Sequence, residues 1–466
     1  MKKEKIFQEE KKVMKKKIIA AFLTTAMTIG SLSGVTVFAA DAGTDEKVEM
    51  ADASDVDGTT ITFWHSMGGV NGEAIDTLVK KFNDENEYGI TVDAQYQGEY
   101  DDSLNKLKSA QIGNMGADLV QVYEIGTRFM IDSGWVIPMQ DMIDSEGYDV
   151  SDLEPNITAY YTVDDKLYSM PFNSSTPILY YNKDMFDKAG VTEVPTSLEG
   201  IAEVADDLVN KGGAGEALSM GIYGWFFEEF MCKQGLPYVD NGNGREAVAT
   251  KVAFDENGGA LNILNEWKKL YDAGYAPNVG RGGDSGLADF SSGKAAMTLG
   301  STASLKQILQ DVNGSFEVGT AYFPSITDDD KGGVSIGGAS LWMLDNQDDA
   351  KKAATWEFVK YLVSAESQAY WNAQTGYFPV TTAAHDEQVF KDNIAKYPQF
   401  QTAIDQLHDS APEYAGALLS VFPEARAIVE TEIENMLNGK ESAEDAVSKM
   451  ASDMNKSIED YNLLNE

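Results

Sequence analysis

Acidic side chains are the most abundant groups in this sequence that could carry out chemistry, since 75 of its 466 residues are Asp or Glu. Paired carboxylates can serve as the acid and base of a secreted glycoside hydrolase. Glu228 and Glu229 form one such pair, but adjacent positions do not establish the separation that hydrolysis needs. Because Phe226, Phe227 and Phe230 flank them, we interpret the two acids as part of a solvated helix face. A secreted hydrolase therefore remains only a distant alternative.

Metal, cofactor and nucleophile sites also have little support in the sequence. The three histidines, His65, His385 and His408, do not have the spacing of metal ligands, and Cys232 is the single cysteine. The acidic run 328–330 lacks the spaced ligands of a calcium loop. Neither a nucleophile elbow nor a phosphate-binding loop of the Walker type is found. We expect no enzyme activity, no cofactor and no metal.

The formal net charge of −39 excludes further classes of function. Nucleic acids and anionic membranes are bound through basic surfaces, which this composition does not supply. A small anionic ligand is still compatible with the charge, because a few local donors can outweigh a distant field that salt screens.

The N-terminal residues are typical of a secretory signal peptide. Three lysines at positions 15–17 precede an apolar stretch over 18–38, and small residues follow it, which predicts cleavage after Ala39. We therefore expect residues 1–39 to be a signal peptide, with a retained membrane anchor as the alternative. Residues 40–59 are acidic and poor in large apolar side chains, and we expect a disordered leader there. No Cys directly follows the cleavage site, so no lipid anchor is expected.

Strand-type and helix-type patterns alternate from Thr60 onward. Short apolar runs predict strands at 61–64, 90–96, 118–123 and 178–182. Apolar residues at helical spacing recur within 75–82, 201–208, 260–271, 429–436 and 443–458. This alternation predicts an α/β fold with helices packed on largely parallel sheets, and the length suffices for two lobes.

Seven sequence blocks carry a resemblance to a known family. They lie at 63–69, 98–100, 121–127, 171–177, 179–184, 337–342 and 375–377. In this order they resemble the extracellular solute-binding proteins of the maltose-receptor-like superfamily, and within it the glycerol-3-phosphate receptors. Blocks 121–127 and 171–177 are the more specific, whereas 179–184 is shared by many sugar receptors.

The resemblance implies a two-lobed periplasmic-binding-protein fold of type II, in which each lobe is a mostly parallel sheet flanked by helices and the ligand lies between the lobes. Lobe 1 is expected to comprise 60–172 plus 338–380, and lobe 2 to comprise 173–337 plus 381–466. Such a protein is exported, stays in the periplasm or at the cell surface, and acts as a monomer. It captures a small molecule and delivers it to the membrane permease of an ABC importer.

The resemblance also implies a set of ligand-contacting residues. Arg426 would bind phosphate oxygens with its planar guanidinium, whereas Glu124 would accept hydrogen bonds from glycerol hydroxyls at the other end of the ligand. Gly338 would let the ligand approach the backbone. The full set is Tyr100, Glu124, Ser175, Trp225, Ser301, Gly338, Tyr377 and Arg426.

Each of these residues also has a plain structural interpretation. Arg426 could be a solvated helix residue, and Glu124 could be an acid at a helix N-terminus. Ser175 could belong to a turn, Tyr100 and Tyr377 could be packing aromatics, and Gly338 could mark a bulge.

One departure from the family pattern concerns the ligand. Where the glycerol-3-phosphate receptors carry Gly-Trp-X-Gly-Trp, this chain keeps Trp225 but has Ile222 in place of the first Trp. Ile has no flat ring, so the site could be wider, or the neighbouring Tyr223 could replace the lost aromatic. We therefore expect sn-glycerol-3-phosphate or a glycerophosphodiester such as glycerophosphocholine as ligand. A sugar or oligosaccharide is the alternative.

Overall fold

The structure is a computed structural model, and it describes Val48, residues 50–113 and residues 116–465. The expected signal peptide and residues 40–47 and 49 of the expected leader therefore lie outside the described residues. Within the rest of that leader, Ala53–Asp55 forms a short 3-10 helix and Val56 is buried. The Ala51 N–H donates to the carbonyl of Asp349 at 3.1 Å. The folded part therefore begins before Thr60.

The described residues contain twelve strands. They are β1 (Thr60–His65), β2 (Thr91–Tyr96), β3 (Leu119–Tyr123), β4 (Val136–Ile137), β5 (Thr162–Val163), β6 (Lys166–Leu167), β7 (Met170–Ser175), β8 (Pro177–Asn182), β9 (Glu216–Ser219), β10 (Ala295–Ser301), β11 (Val318–Tyr322) and β12 (Gly337–Leu344). The four strands expected from the sequence correspond to β1, β2, β3 and β8, and these predictions are confirmed.

The strands form two main sheets. The first has the order β2-β1-β3-β12-β4, with β7 also paired to β12, and the second has the order β11-β8-β10-β9. Strands β5 and β6 make a separate hairpin.

The expectation of mostly parallel sheets is wrong in detail, because both sheets are mixed. Strand β1 is parallel to β2 and β3, and β9 is parallel to β10. Strand β12 is antiparallel to β3, β4 and β7, and β8 is antiparallel to β10 and β11. Parallel neighbours need a crossover connection. After β7 the chain passes from the first sheet to the second, and it returns to the first sheet at β12. Strands β7 and β12 therefore run in opposite directions.

The main helices are α1 (Gly69–Glu85), α2 (Tyr100–Ile112), α3 (Thr127–Ser133), α4 (Met139–Glu146), α5 (Pro155–Tyr161), α6 (Lys183–Ala189), α7 (Leu198–Asn210), α8 (Gly224–Lys233), α9 (Gly259–Asp272), α10 (Leu287–Ser291), α11 (Leu305–Val312), α12 (Asp349–Leu362), α13 (Ala365–Thr375), α14 (Gln388–Lys396), α15 (Gln399–Asp409), α16 (Phe422–Leu437) and α17 (Ala443–Asn465). Further 3-10 helices lie at Glu124–Gly126, Thr302–Ser304, Thr382–Asp386 and Pro412–Tyr414. No helix in the described part of the chain is long and apolar enough to cross a membrane.

Local sequence explains where several helices begin. Side chains of Asn182, Ser197 and Asp348 cap α6, α7 and α12 by accepting hydrogen bonds from backbone N–H groups three residues later. Within the helices, apolar residues at helical spacing face the core, as predicted. Helix α17 buries Val447, Met450, Met454 and Ile458 along one side.

Two large clusters of buried apolar residues pack against the sheets. One contains Phe63 of β1 and Trp356 of α12, and the other contains Phe226 of α8 and Trp267 of α9. The chain passes from the first sheet to the second at Thr176, between β7 and β8, and it returns between β11 and β12. The Thr302 N–H donates to the Thr176 carbonyl at 2.9 Å, so β10 ends beside this crossing. The lobe boundaries themselves stay a prediction.

The buried side-chain amide of Gln406, on α15, binds the segment through which the chain passes to the second sheet. Nε2 of Gln406 donates to the hydroxyl of Thr176 at 3.0 Å and to the carbonyl of Pro177 at 2.8 Å. Its Oε1 accepts from the N–H of Phe323, just after β11, at 2.6 Å. One side chain thus satisfies three buried polar groups from two distant segments, Thr176–Pro177 and Phe323.

We expect Gln406→Ala to lower the free energy of unfolding by about 2–4 kcal/mol, because it leaves buried backbone groups without partners. Urea denaturation measures the loss. Gln401→Ala removes an exposed glutamine from the same helix and should change stability by less than about 0.5 kcal/mol. Equal stability of the two variants would contradict the assigned role.

A fully buried carboxyl group lies on α8. Glu229 was expected on a solvated face, but its side chain is inaccessible to solvent, so that interpretation is wrong. It accepts hydrogen bonds from the N–H and the hydroxyl of Ser335, each at 3.0 Å. Burial nevertheless raises the pKa of Glu229 well above its ordinary value, because desolvation outweighs these hydrogen bonds.

The folded protein therefore holds the Glu229 proton more tightly than the unfolded chain does. The stability that this provides is complete below the ordinary pKa of glutamate and is lost as pH rises through the folded-state pKa. Relative to Glu229→Gln, the wild type should lose up to about 1.4 kcal/mol for each pH unit in that range. Urea denaturation between pH 5 and 8 measures the difference, with the exposed Glu424→Gln as control. A difference independent of pH would refute the assignment.

Candidate ligand-binding site

All eight residues expected to contact the ligand line one cavity of about 230 Å³. They come from both sheets and the helices around them. Ser175 ends β7 and Ser301 ends β10, whereas Gly338 is the second residue of β12 and Tyr100 is the first residue of α2. The cavity therefore forms where strands end or cross from one sheet to the other. This is the usual place for a ligand between two lobes.

A chain of buried hydrogen bonds positions Tyr100. Its hydroxyl accepts from Nδ2 of Asn173 at 2.9 Å, and the Asn173 side-chain oxygen accepts from Gln121 at 2.6 Å. Gln121 in turn accepts from the N–H of Ser66 at 2.8 Å. The Tyr100 ring stacks on Tyr123, with ring centroids 5.3 Å apart. Strands β1, β3 and β7 thus jointly orient one aromatic wall of the cavity.

Tyr377 forms the adjoining part of the wall. Its ring stacks on Trp371, with centroids 5.8 Å apart, and its carbonyl accepts from Nδ2 of Asn372 at 2.8 Å. Burial raises the pKa of Tyr377 and, even more, that of Tyr100, so both hydroxyls stay protonated at neutral pH. Neutral hydroxyls can donate to a ligand as well as accept from it.

Two adjacent glycines at the start of β12 are required by close packing. A Cβ on Gly337 would lie 2.5 Å from the Trp225 ring. A Cβ on Gly338 would lie 1.9 Å from the carbonyl oxygen of Asn173, and the φ of Gly338 is +95°. The absent Gly338 side chain therefore makes room for β7, which is a different reason from the close ligand approach expected from the sequence.

Arg426 lies at the cavity wall with its charge already compensated. Arg426 is 7% exposed, and its Nε and Nη2 donate to the two carboxylate oxygens of Glu228 at 2.7 and 2.9 Å. Nη2 also forms an ion pair with Oε1 of Glu124. The interpretation of Arg426 as a solvated residue is therefore wrong. Glu124 and Arg426, expected at opposite ends of the ligand, are instead direct partners.

This cluster shifts the protonation equilibria of its members. Burial alone would lower the pKa of Arg426, but Glu228 and Glu124 outweigh burial and hold the pKa well above its ordinary value. Burial raises the pKa of Glu228, even though Arg426 opposes the shift. Burial likewise raises the pKa of Asp284, the other carboxyl group that lines the cavity besides Glu124.

Aromatic rings occupy the side of the cavity near α8. Ile222 is fully buried and does not line the cavity, whereas the next residue, Tyr223, does. The Arg426 guanidinium carbon lies 5.7 Å from the Tyr223 ring centroid, within the range of a cation–π contact. Trp225 also lines the cavity, and its buried Nε1–H has no hydrogen-bond partner among the described residues. The alternative of an aromatic shifted to Tyr223 fits this arrangement.

A second, wider cavity of about 600 Å³ shares Tyr100, Asp284, Ser301 and Tyr377 with the first. Polar side chains extend its wall. They include Ser66, Asn71, Glu99, Lys306, Gln307 and Gln374. Because these four residues line both cavities, the two cavities adjoin each other. A ligand longer than glycerol phosphate would therefore have space beyond the smaller, inner cavity.

Sequence reasoning missed several residues of this site. Glu228 was assigned to a solvated face, although α8 carries large apolar residues on nearly every side, and such a helix is typically buried. That signal could have placed both acids of α8 inside. Asp284, Gly283, Tyr123 and Phe226 have no comparable signal, because only the tertiary structure brings them to the cavity. Within the described part of the chain, no group of three or more His, Cys, Asp or Glu could hold a metal ion.

Comparison with known proteins gives consistent matches. The model of the family "Bacterial extracellular solute-binding protein" matches residues 77–402. The sn-glycerol-3-phosphate-binding periplasmic protein UgpB of Escherichia coli K12 is 34% identical over 403 residues, which cover 84% of this chain and 90% of that protein.

Solved structures show the same fold at lower identity. UgpB from Mycobacterium tuberculosis in complex with glycerophosphocholine has a TM-score of 0.74 and 23% identity, covering 87% of this chain and 99% of that one. The GacH receptor of Streptomyces glaucescens, solved unliganded and with acarbose, has a TM-score of 0.71 and 21% identity, covering 86% and 99%.

These matches establish the two-lobed periplasmic-binding-protein fold and a role in solute binding rather than catalysis. The chain belongs to the bacterial extracellular solute-binding protein family and has the role of the solute-binding component of an ABC importer.

Proposed function

We propose that the protein captures sn-glycerol-3-phosphate or a glycerophosphodiester and delivers it to an ABC permease. The observation that carries this proposal is that one cavity gathers all eight residues implied by the glycerol-3-phosphate receptors. Likeness to UgpB of Escherichia coli, at 34% identity, supports the same ligand class. In keeping with the family, the protein is exported with its signal peptide removed and acts as a monomer.

The donors in the cavity suit a phosphate group. Nη1 of Arg426 makes no hydrogen bond within the described residues, and the buried Nε1–H of Trp225 has no partner there either. Ser175, Ser301 and Tyr377 add hydroxyl groups without adding charge. Glu124, beside Arg426, can accept from a glycerol hydroxyl. Phosphate and hydroxyl contacts would therefore lie side by side in the ligand rather than at its two ends.

A neutral sugar is the second candidate, and the aromatic lining favours it. Six aromatic residues line the inner cavity, namely Tyr100, Tyr123, Tyr223, Trp225, Phe226 and Tyr377. Aromatic faces and carboxylates are common in sites that bind neutral, hydroxyl-rich ligands. In addition, Arg426 is neutralised by two carboxylates, which reduces the advantage of a charged ligand.

A thermal-shift screen separates these ligand classes. We expect stabilisation by sn-glycerol-3-phosphate or glycerophosphocholine, because a ligand at 100 times its Kd adds about 2.7 kcal/mol to the folded state. Maltose, longer oligosaccharides and free glycerol serve as comparison ligands. Stabilisation by neutral sugars alone would reject the phosphate ligand in favour of the second candidate.

Trp225→Phe tests the assigned phosphate contact. The variant keeps a ring against Gly337 but removes the indole N–H, so affinity for the phosphate ligand should fall about tenfold or more by calorimetry. Trp342→Phe is the matched control, since Trp342 is a fully buried Trp whose Nε1 also lacks a partner but which lines neither cavity. Unchanged affinity in Trp225→Phe would remove Trp225 from the site.

A further inference from the structure

Glu228 pairs with Arg426 but is not part of the ligand-cavity lining. The side chain of Glu228 is 12% exposed and binds Nε and Nη2 of Arg426 as a bidentate partner. Arg426 lines the ligand cavity, but Glu228 does not. Glu228 instead lines a separate space of about 10 Å³, together with Tyr160, Cys232 and Ser335. Glu228 thus contacts Arg426 without lining the ligand cavity.

The surroundings of Glu228 contain more acidic than basic groups. Arg426 and Glu430 face it from α16, Glu124 faces it from the 3-10 helix after β3, and Glu229 is its neighbour on α8. Neutral titratable groups also lie around it, and these are Tyr160, Tyr223, Tyr238 and Cys232. Arg426 is the single cation among the residues that line the inner cavity, and Asp284 adds a further carboxyl group to that lining. The cluster as a whole therefore does not offer a net positive charge to a ligand.

We infer that Glu228 is a specificity-determining residue, which makes the site prefer singly charged phosphodiesters to doubly charged phosphate monoesters. This inference rests on the proposed phosphate ligand. A bidentate carboxylate fixes the Arg426 fork and leaves Nη1 to donate hydrogen bonds. It also cancels most of the guanidinium charge as seen from the cavity, and the low dielectric of a buried site makes the remaining carboxylates repel a second negative charge strongly.

Fixing an arginine through a buried carboxylate has a clear advantage for orientation. An unpaired buried guanidinium group costs free energy, and a long side chain without hydrogen-bond partners is not held in one conformation. The same carboxylate that holds Arg426 in place thus also limits the negative charge that the site accepts. Hydrogen-bond geometry and charge selectivity therefore depend on one residue.

Glu228→Gln separates the orientation of Arg426 from the charge of residue 228, because Gln can still accept a hydrogen bond from Arg426 but carries no charge. Calorimetry at pH 8 gives the affinity ratio of sn-glycerol-3-phosphate, a dianion there, to glycerophosphocholine, whose single phosphate charge is balanced by its choline cation. We expect the wild type to bind the diester more tightly. In Glu228→Gln, monoester affinity should rise about tenfold and diester affinity by less than about threefold.

Glu424→Gln is the matched control, since it removes an exposed carboxylate from the same helix as Arg426 and should leave the ratio unchanged. An equal gain for both ligands in Glu228→Gln, or no gain, would overturn the inference while leaving the proposed function intact. If the wild type binds neither phosphate ligand, the proposed function fails, and the inference fails with it.

A measurement on the wild type keeps the inference testable if Glu228→Gln folds poorly. The dianion of a phosphate monoester takes up a proton near pH 6 and becomes singly charged, whereas diesters do not titrate in this range. With a preference of about tenfold for the monoanion, the monoester-to-diester affinity ratio of the wild type should therefore rise about fivefold between pH 8 and pH 6. A ratio that stays constant over this interval would contradict charge selectivity.

Discussion

The buried charge cluster of Arg426, Glu124 and Glu228 is the interaction on which the arrangement of the site depends. It joins α16 to α8 and to the 3-10 helix after β3, and Glu124 is 302 positions from Arg426 in the sequence. Removing Arg426 would leave two carboxylates without their cation, and breaking a buried ion pair in this way typically costs several kcal/mol. The cluster therefore fixes the relative positions of these three elements. It thereby also fixes the position of the aromatic side chains that α8 contributes to the cavity.

The cavity is also a product of the way in which the chain connects its two sheets. Strands β7 and β10 end at Ser175 and Ser301, and β12 begins at Gly337, so their termini meet at the crossing. Polar groups at the crossing are satisfied by the buried side chain of Gln406, which donates to the hydroxyl of Thr176 and to the carbonyl of Pro177. A binding site built from strand ends gains backbone and hydroxyl groups directed at the ligand, while the sheets behind it remain rigid. Relative movement of the lobes would then open or close the site without remaking it.

The chemistry of the lining combines three properties. Aromatic rings supply apolar surface, hydroxyl and indole groups supply neutral donors, and a compensated arginine supplies a fixed donor with little net charge. Such a lining can accommodate a polar ligand without a strong electrostatic field. It is consistent with the high negative charge of the whole protein, because recognition relies on short contacts rather than on attraction over distance.

The sequence by itself determined the α/β class, the positions of β1, β2, β3 and β8, the helix faces and the family, because these follow from local periodicity and contiguous blocks. Through the family it also named the eight residues that meet at the cavity. Only the tertiary structure decided the mixed pairing of the sheets and the direct pairing of Glu124 with Arg426. These depend on contacts between distant segments, where burial changes the energy of a charge and selects its partner, and no local pattern records that environment.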